Sequence, residues 1–437
     1  MSRKAIRMAL KTLPSTLYGT YSEAFQRIQD QAPDLVRVAE SVLFWVICAH
    51  RPLSILELRH IYATRDLADG DTLSEEDLPD GEILTSTCGG MVMIDAESQT
   101  VRPVHYTTQE YFERSHLHLV AVARFELADI SLVYLMLPNF SDGACKTDAA
   151  MAQRLEQYPF LDYAGKHWGI DLEDLTGTQL DLFWPRLMRF ASRKGAMELA
   201  SQCRHNRTPL SYEGWSQGYP HDVPILSLAA GFHMPSVLRR LMAQSHPVDG
   251  KGRDGFTALM RAAMCGRTEN VKVLLDHGAD ANTSDSRGIT ALHLSALVGE
   301  PGSTQALLDA SAEVNAKTLI NWTPLMFAAT RGMMDVVKAL VKAGADQSGE
   351  GPQGQSAISL ALTREHLDVV TFLVDEGGSV PRNVFGRMAL SKASDLGLHD
   401  LVQRLTASYE TRAEEPVQQG TPVAVKGLQL ATVLEGS

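Results

Sequence analysis

Apolar residues recur with a helical period along most of the chain, and in the C-terminal half the whole pattern repeats every 33 residues. Each unit opens with a small polar residue or proline, followed by two short amphipathic segments that predict a pair of helices. The opening position holds Pro224, Thr257, Thr290, Thr323 and Ser356, and a degenerate unit places Met388 32 residues further on. A fixed period of this length predicts an array of stacked helical repeats.

The residues inside each unit explain why two helices should form. Threonine can cap a helix, and Pro324 fits a first turn, where its missing N–H is not needed. Val271 and Leu274 recur at helical spacing and are expected to bury against the neighbouring unit. The second helices end at Gly278, Ser311, Gly344 and Gly377, again 33 residues apart, where a left-handed residue is expected. Because serine is unfavourable in that conformation, we expect the unit ending at Ser311 to be locally weaker.

The 33-residue period and the Thr-Pro-Leu-His-like start resemble the ankyrin repeat. The resemblance implies a solenoid of five repeats and a degenerate C-terminal cap. In ankyrin arrays, the residue after the hairpin glycine and the two residues after the alanine pair point towards the concave face. These positions hold Phe256, Met264, Cys265, Ile289, Leu297, Val298, Trp322, Thr330 and Arg331, with Leu319 and Ile320 beside them. We expect them to form a stripe that binds a protein partner; the alternative is that the helical linker or the C-terminal segment VAVKGLQLATVL covers it.

Residues 250–255, GKGRDG, fit the Gly-x-Gly-x-x-Gly pattern of dinucleotide-binding loops. Two features favour a turn instead. No apolar strand precedes the segment, and it aligns with TSDSRG (283–288) and AKTLIN (316–321) in the next units. Gly255 aligns with Gly288, Asn321 and Gly354, which are residue types that accept a positive φ. We therefore predict a hairpin turn in each unit and no nucleotide site.

The N-terminal half has a different pattern. Residues 34–64 predict two helices separated at His50-Arg51-Pro52, with Ser54 and Glu57 forming a capping box. EILTSTCG (82–89) predicts a third short helix, and the alternating segments MVMID (91–95) and TVRPVHY (100–106) predict a β-hairpin. TTQEYF (107–112) opens a further helix. Three helices followed by a β-hairpin wing are typical of a winged-helix domain.

The chain is therefore predicted to be mainly α-helical, with a winged-helix domain and a helical linker followed by the ankyrin-repeat solenoid. Its parts are an N-terminal helical remnant (1–30), a winged-helix domain (31–115), a helical linker (116–210), ankyrin repeats (211–410) and a disordered tail (411–437). Within the linker, residues 119–137 carry three charges, which predicts a buried helix pair rather than a membrane segment. Trp168 and Trp184 are expected to lie in its aromatic core.

The charge balance and the cysteines narrow the range of functions and locations that the sequence allows. The net charge is −12, and the stretch from Asp66 to Val101 holds ten acidic residues and no lysine or arginine. Because this charge repels phosphates, we expect no nucleic-acid binding by the winged helix. Five widely spaced cysteines favour reduced thiols, and no apolar run is long enough for a membrane helix. We expect a cytoplasmic protein without membrane contact, with the nucleus as the alternative compartment.

Four segments resemble the region after the nucleotide-binding domain of fungal NACHT-type, NLR-like (STAND-type) ankyrin proteins. They are LPSTLYGTYSEAFQRI (13–28), WVICAHRPLSILEL (45–58), HYTTQEYF (105–112) and YPFLDYAGKHWG (158–169). With the repeats, the resemblance covers roughly residues 11–405. In that family the NACHT domain is a nucleotide switch, the winged helix relays its state, and the ankyrin array senses or recruits a partner. The NACHT domain is absent here, which we interpret as a natural truncation or as a gene prediction lacking an exon.

Motifs for catalysis or cofactors are missing from the sequence. The closest match to a phosphate-binding loop, GACKT at 143–147, has Cys145 where Gly-x-x-x-x-Gly-Lys-Ser/Thr needs glycine, so we expect no nucleotide binding. His116 and His118 have no third ligand nearby and predict a solvated helix start rather than a metal site. We predict a non-catalytic interaction scaffold or regulatory accessory protein with no cofactor. The alternative is a cryptic enzyme or an accessory protein in fungal specialised-metabolite biosynthesis.

Overall fold

The computed structural model describes residues 17–68, 70–172, 175, 177–205 and 215–411. The chain divides into two compact units, Met1–Ile225 and Leu226–Ser437. Thr411, the first residue of the predicted tail, ends a helix, and the rest of that tail lies outside the described residues. The described parts of both units are built mainly from helices, as the apolar periodicity predicts.

The first unit opens with a helix and a winged-helix domain. Its elements are α1 (Leu17–Gln29), α2 (Pro33–Cys48), β1 (Leu53–Ser54), α3 (Ile55–Arg65), α4 (Gly81–Ser86), β2 (Val92–Ile94) and β3 (Thr100–Pro103). The strands form an antiparallel sheet in the order β1-β3-β2. The helices and the wing agree with the sequence-based prediction. Strand β1 is an addition, because a two-residue strand leaves no alternating pattern in the sequence.

The capping box predicted at the start of α3 is confirmed. The Glu57 N–H donates to the Ser54 hydroxyl at 3.1 Å, and the Ser54 N–H donates to the Glu57 carboxylate at 2.7 Å. Arg51 adds a salt bridge to the same carboxylate at 2.5 Å. These contacts supply acceptors for N–H groups that the first helical turn leaves unpaired, which explains why the chain turns sharply between α2 and α3.

Helix α5 (Tyr106–Ser115) follows the wing and ends the winged-helix domain. The helical linker comprises α6 (Leu117–Leu135), α7 (Asp148–Gln157), α8 (Phe160–His167), α9 (Gly177–Ser192) and α10 (Lys194–His205). Trp168 and Trp184 are buried in it, as predicted, and the Trp168 ring lies 5.3 Å from that of Phe190. An aromatic core therefore holds the linker helices together.

The helix pair predicted at 119–137 is wrong, because this segment forms one continuous helix, α6. No glycine or proline interrupts it, and its charged side chains find partners instead of ending the helix. The Glu126 carboxylate accepts a hydrogen bond from Trp45 Nε1 at 3.1 Å, and Asp129 pairs with Arg186 at 2.9 Å. Burial still raises the pKa of both carboxyl groups. Partly buried charges on a helix thus mark interhelical contacts here rather than a break.

The described part of the second unit contains six helix pairs, which confirms the ankyrin architecture with its degenerate last unit. The first helices are α11 (Ile225–Gly231), α13 (Ala258–Met264), α15 (Ala291–Val298), α17 (Pro324–Arg331), α19 (Ala357–Thr363) and α21 (Val384–Asp395). The second helices are α12 (Pro235–Ala243), α14 (Thr268–Asp276), α16 (Pro301–Asp309), α18 (Met334–Lys342), α20 (Leu367–Asp375) and α22 (His399–Thr411). From the second repeat onward, successive first helices pack more closely than successive second helices, so this part of the array curves with the first helices on its concave side.

The predicted caps are present in the repeats. The hydroxyls of Thr257 and Thr323 accept hydrogen bonds from the N–H groups three residues later. After the second helices, Gly278, Gly344 and Gly377 have φ of 83°, 89° and 86°. Ser311 takes the same left-handed conformation at 62°, and so does Ser245, at the equivalent position two repeats earlier, at 64°. Two of the five helix ends therefore carry a side chain where glycine is preferred.

Asparagine side chains connect successive repeats. The Asn282 carbonyl oxygen accepts the Glu313 N–H at 2.7 Å, and its amide group donates to the Ser311 carbonyl at 3.3 Å. Asn315, 33 residues later, makes the same two bonds to Asp346 and Gly344, at 2.7 and 3.4 Å. The periodic sequence thus produces a periodic joint between neighbouring repeats.

Candidate functional site

The hairpin turns before the first helices share one geometry. Gly255, Gly288, Asn321 and Gly354 have φ of 78°, 78°, 56° and 80°, which confirms the predicted left-handed turns. In each turn the N–H of that residue donates to the carbonyl three residues earlier, at 2.8 to 3.0 Å. In GKGRDG the Gly252 N–H also donates within the hairpin, to the Phe256 carbonyl at 3.2 Å. The glycines therefore shape a turn whose amides bond within the hairpin, unlike the amides of a pyrophosphate-binding loop.

The residues after the hairpin glycines do not form the exposed stripe that was expected. Phe256 and Ile289 are buried, at 7% and 2% exposure, so they cannot offer their side chains to a partner. Above the Phe256 ring lie the guanidinium groups of Arg261 and Arg287, 5.7 and 5.8 Å from the ring centroid. Trp322 differs because it is half-buried. The expectation of a three-repeat apolar stripe is therefore wrong at its first two positions.

The helix-end positions are also mostly covered. Leu297 is buried, at 7% exposure, while Met264, Cys265, Val298 and Thr330 are half-buried. Arg331 is the exposed member of this predicted set. Close stacking of the first helices explains the difference, because their C-terminal ends lie against the next repeat on the concave side.

An apolar cluster does reach the surface at the third hairpin, which we define as residues 316–322. Leu319 is 77% exposed, Ile320 is half-buried, and the Trp322 ring packs edge-on against Phe327 with 5.3 Å between centroids. The Leu319 N–H donates to the Arg287 carbonyl of the preceding hairpin at 2.8 Å, which fixes the loop. This cluster is the part of the predicted stripe that can contact a partner. The alternative cover, VAVKGLQLATVL, lies outside the described residues.

A buried histidine, which was not among the predicted site residues, supports the third hairpin. His293 Nδ1 accepts the Thr290 N–H at 3.2 Å, so Nε2 carries the proton and donates to the Trp322 carbonyl at 3.1 Å. Burial lowers the pKa of His293 to about 4, which keeps the ring neutral. The Thr-x-x-His spacing in TALH is the sequence signal for this contact.

The winged helix presents a second surface, which is negatively charged. Helix α4 begins at the Asp80 cap, and its exposed residues include Glu82 and Ile83, the latter 53% exposed. On the wing, Arg102 pairs with Asp95 at 2.8 Å. The negative charge of this surface is unfavourable for contact with a phosphate backbone.

The GACKT segment borders a cavity of about 570 Å³ in the first unit. Lys146, Lys194 and His221 contribute to its lining. The Cys145 N–H donates to Gln202 Oε1 at 2.8 Å, and the Gln202 amide donates back to the Cys145 carbonyl at 2.8 Å. Because phosphate-binding loops work through backbone amides that point at the ligand, the Cys145 amide is not available for that role.

The described residues offer little for other chemistry. They contain no cluster of three or more histidine, cysteine or acidic side chains that could hold a metal ion. His116 occupies the N-cap position of α6 without a side-chain hydrogen bond to the helix, and its ring packs 4.9 Å from that of Phe25, so it is part-buried rather than solvated as expected. Burial raises the pKa of the Cys88 thiol to about 12, which makes it a poor nucleophile. Among the helices that the structure describes, none has the length and apolar character needed to cross a membrane.

Comparisons with known families agree with this architecture. Residues 226–318 and 325–415 match the family "Ankyrin repeats (3 copies)". Residues 29–120 match "GPI inositol-deacylase, winged helix domain". A comparison with curated proteins found no match. The chain thus combines a winged-helix domain with ankyrin repeats, and this match to a winged helix assigns no catalytic residue.

Proposed function

We propose that this protein is a non-catalytic interaction scaffold or regulatory accessory protein that binds a protein partner through the concave face of its ankyrin repeats. Ankyrin repeats suggest protein–protein interaction, and an extended concave surface is what such solenoids use for binding. The Cys145 amide beside the GACKT cavity is bonded to Gln202 and the winged helix is acidic, so the proposal includes neither a nucleotide nor a nucleic acid.

The third hairpin is the observation that carries this proposal. Leu319 is the most exposed large apolar side chain in the described part of the chain, and it belongs to the same hairpin as the half-buried Trp322. The loop is held by backbone hydrogen bonds from Leu319 and Asn321, so it presents the cluster without first having to be ordered. An aromatic anchor with an exposed aliphatic neighbour on a rigid loop is typical of a binding hot spot.

We further propose that the winged helix and the repeats belong to a NACHT-type, NLR-like signalling context in a fungal cell. The order of the two domain types supports this proposal. Widely spaced cysteines, all present as thiols, support a cytoplasmic location.

The test is co-purification of a partner from the source cells, followed by calorimetric titration of that purified partner. Leu319→Ser should weaken binding about tenfold or more, because an exposed leucine buried at an interface contributes roughly 1.5–3 kcal/mol. The thermal stability of the Leu319→Ser variant should not change, since the Leu319 side chain is already mostly exposed to water. Trp322→Ser is a less selective variant, because this ring also packs on Phe327.

Leu182→Ser is the matched control, since Leu182 is 74% exposed on α9 of the other unit. This variant should bind the partner as the wild type does. Equal loss of affinity in both variants, or no partner above background, would contradict the proposed function.

A further inference from the structure

Charge is segregated between the two sides of the last five ankyrin repeats. We call residues 250–265, 283–298, 316–331, 349–364 and 382–397 the inner segments, since they hold the loops before the first helices and the first helices themselves. They contain ten basic residues, Lys251, Arg253, Arg261, Arg287, Lys317, Arg331, Arg364, Arg382, Arg387 and Lys392. Their four acidic residues are Asp254, Asp285, Glu350 and Asp395. The concave side is thus basic in a protein whose net charge is −12.

The remaining parts of these repeats carry the opposite charge. The outer segments, 266–282, 299–315, 332–348, 365–381 and 398–411, hold the second helices and the turns around them. They contain fourteen acidic and five basic residues. Because both sides belong to the same repeats, this difference does not follow from the composition of the unit as a whole.

The ion pairs within the inner segments leave the basic charge in excess. Asp254 pairs with Arg261 at 2.5 Å, and Asp285 pairs with Arg287 at 2.7 Å, so two of the four acidic residues are already neutralised. A second group of inner side chains is exposed and makes no ion pair within the described residues: Lys317, Arg331, Arg364 and Arg387. These four cations are the part of the surface that an acidic ligand can neutralise.

The exposed arginines follow the repeat. Arg331 ends α17 and Arg364 directly follows α19, at positions 33 residues apart. Packed helices lie about 8–10 Å apart, so successive repeats present two guanidinium groups along the concave face. Lys317 and the apolar residues Leu319 and Trp322 belong to the third hairpin of the same surface.

We propose that the concave face binds an extended, acidic segment of a partner protein that also carries a large apolar side chain. Arg331 and Arg364 pair with its carboxylates, and the third hairpin receives its apolar residue. Bidentate pairing of arginine with carboxylate sets the orientation, and the apolar contact contributes affinity. This inference rests on the proposed function, because it names the chemistry of the partner at the same surface.

A nucleic acid fits this surface less well. Nucleic-acid binding relies on many phosphate contacts with lysine and arginine, whereas the exposed, unpaired cations are few and stand beside an apolar cluster. The acidic outer segments would also repel a long polyanion. A short peptide can place acidic and apolar side chains alternately, as the surface requires.

The experiment selects ligands for the full chain from a random peptide library displayed on phage. The consensus peptide is then synthesised with a fluorescent label, together with an analogue in which asparagine and glutamine replace its acidic residues. Binding is measured by fluorescence anisotropy. The inner variant is Arg331→Glu with Arg364→Glu. The control is Lys338→Glu with Lys342→Glu, which makes the same charge change on the second helix α18. Lys342 is the last residue of α18, just as Arg331 is the last residue of α17.

We expect an acidic consensus that contains an apolar residue. The inner variant and the neutral analogue should each weaken binding about tenfold or more, while the control variant changes it less than about twofold. Affinity should also fall when salt rises from about 50 mM to about 300 mM, because the charges are exposed. Both variants should keep the circular dichroism spectrum of the wild type.

The other outcomes overturn the inference in distinguishable ways. A neutral or basic consensus that still depends on Leu319 would refute the acidic partner and leave the proposed function standing. Failure to enrich any peptide would refute an extended segment as ligand, whereas the co-purification test addresses the proposed function separately. Tighter binding of a labelled 20-nucleotide RNA would assign the surface to nucleic acid. Equally tight binding of a peptide copying residues 71–82, the chain's own acidic stretch, would assign it to a second copy of this chain.

Discussion

Replacing Ser311 with glycine should stabilise the ankyrin unit. Ser311 has φ of 62°, in the left-handed region, where a side chain costs about 1–2 kcal/mol. Glycine removes that cost but adds roughly 0.5–1 kcal/mol of conformational freedom to the unfolded chain. The net gain should be about 0.5–1 kcal/mol. The Ser311 side chain is exposed and its carbonyl bond from Asn282 is retained, so no contact is lost.

Urea unfolding followed by far-UV circular dichroism measures this gain. The double variant Ser245→Gly and Ser311→Gly should gain about twice as much, since the two sites lie two repeats apart and should add independently. Gly344→Ser should have the opposite effect, because Gly344 has φ of 89°. Ser286→Gly is the control, since Ser286 is an exposed residue of the same array without a positive φ, and this variant should be neutral or slightly destabilising.

The reasoning would be refuted by a Ser311→Gly protein no more stable than the Ser286→Gly control. It would also fail if Gly344→Ser left the unfolding midpoint unchanged. Either result would mean that the left-handed backbone at these helix ends is not strained by a side chain.

Three further predictions concern other parts of the molecule. Ser54→Ala should lower the free energy of unfolding by about 1 kcal/mol through loss of the capping box, and an unchanged thermal midpoint would contradict this. Burial lowers the pKa of His60 and His293 to about 4, so between pH 6.5 and pH 4 the unfolded chain binds protons that the folded chain does not. The free energy of unfolding should therefore fall by roughly 2 kcal/mol per histidine from pH 7 to pH 5, and urea unfolding at both pH values would test this. A nuclear magnetic resonance titration that shows either ring titrating near pH 6.5 would disprove the lowered pKa. The purified protein should neither bind nor hydrolyse ATP or GTP, and saturable binding at micromolar concentration would contradict the expectation from the missing phosphate-binding loop.

The repeat architecture could be predicted from the sequence because its determinants are local and periodic. Thr257 and its equivalents cap helices, and Gly255 and its equivalents allow the turn, so each unit contains the residues that determine its own helices and turn. Side-chain exposure on the concave face could not be predicted in the same way. Phe256 and Trp322 occupy equivalent positions, yet Phe256 lies beneath Arg261 and Arg287, and that difference depends on residues elsewhere in the array.

In the N-terminal unit, local sequence patterns predicted some elements, while elements that depend on distant residues could not be predicted. The two helices and the wing were predictable because their caps and alternation are local. Strand β1 depends on pairing with β3, where Leu53 lies opposite Val101, so its sequence contains no independent signal. The continuity of α6 depends on Trp45 and Arg186, which lie far away in sequence and bind the charges that suggested a break.

The asparagine joints between repeats have a consequence for how this chain can change in length. Asn282 and Asn315 make the same two bonds to the following repeat, so the two joints are interchangeable. Excising residues 283–315 would place Asn282 where Asn315 now stands, facing Gly344 and Asp346. An in-frame deletion or duplication of these 33 codons therefore keeps the remaining asparagine joints in register, whereas one of 30 or 36 would misalign them. The reach of the concave surface can thus be lengthened or shortened in whole modules by a single genetic event.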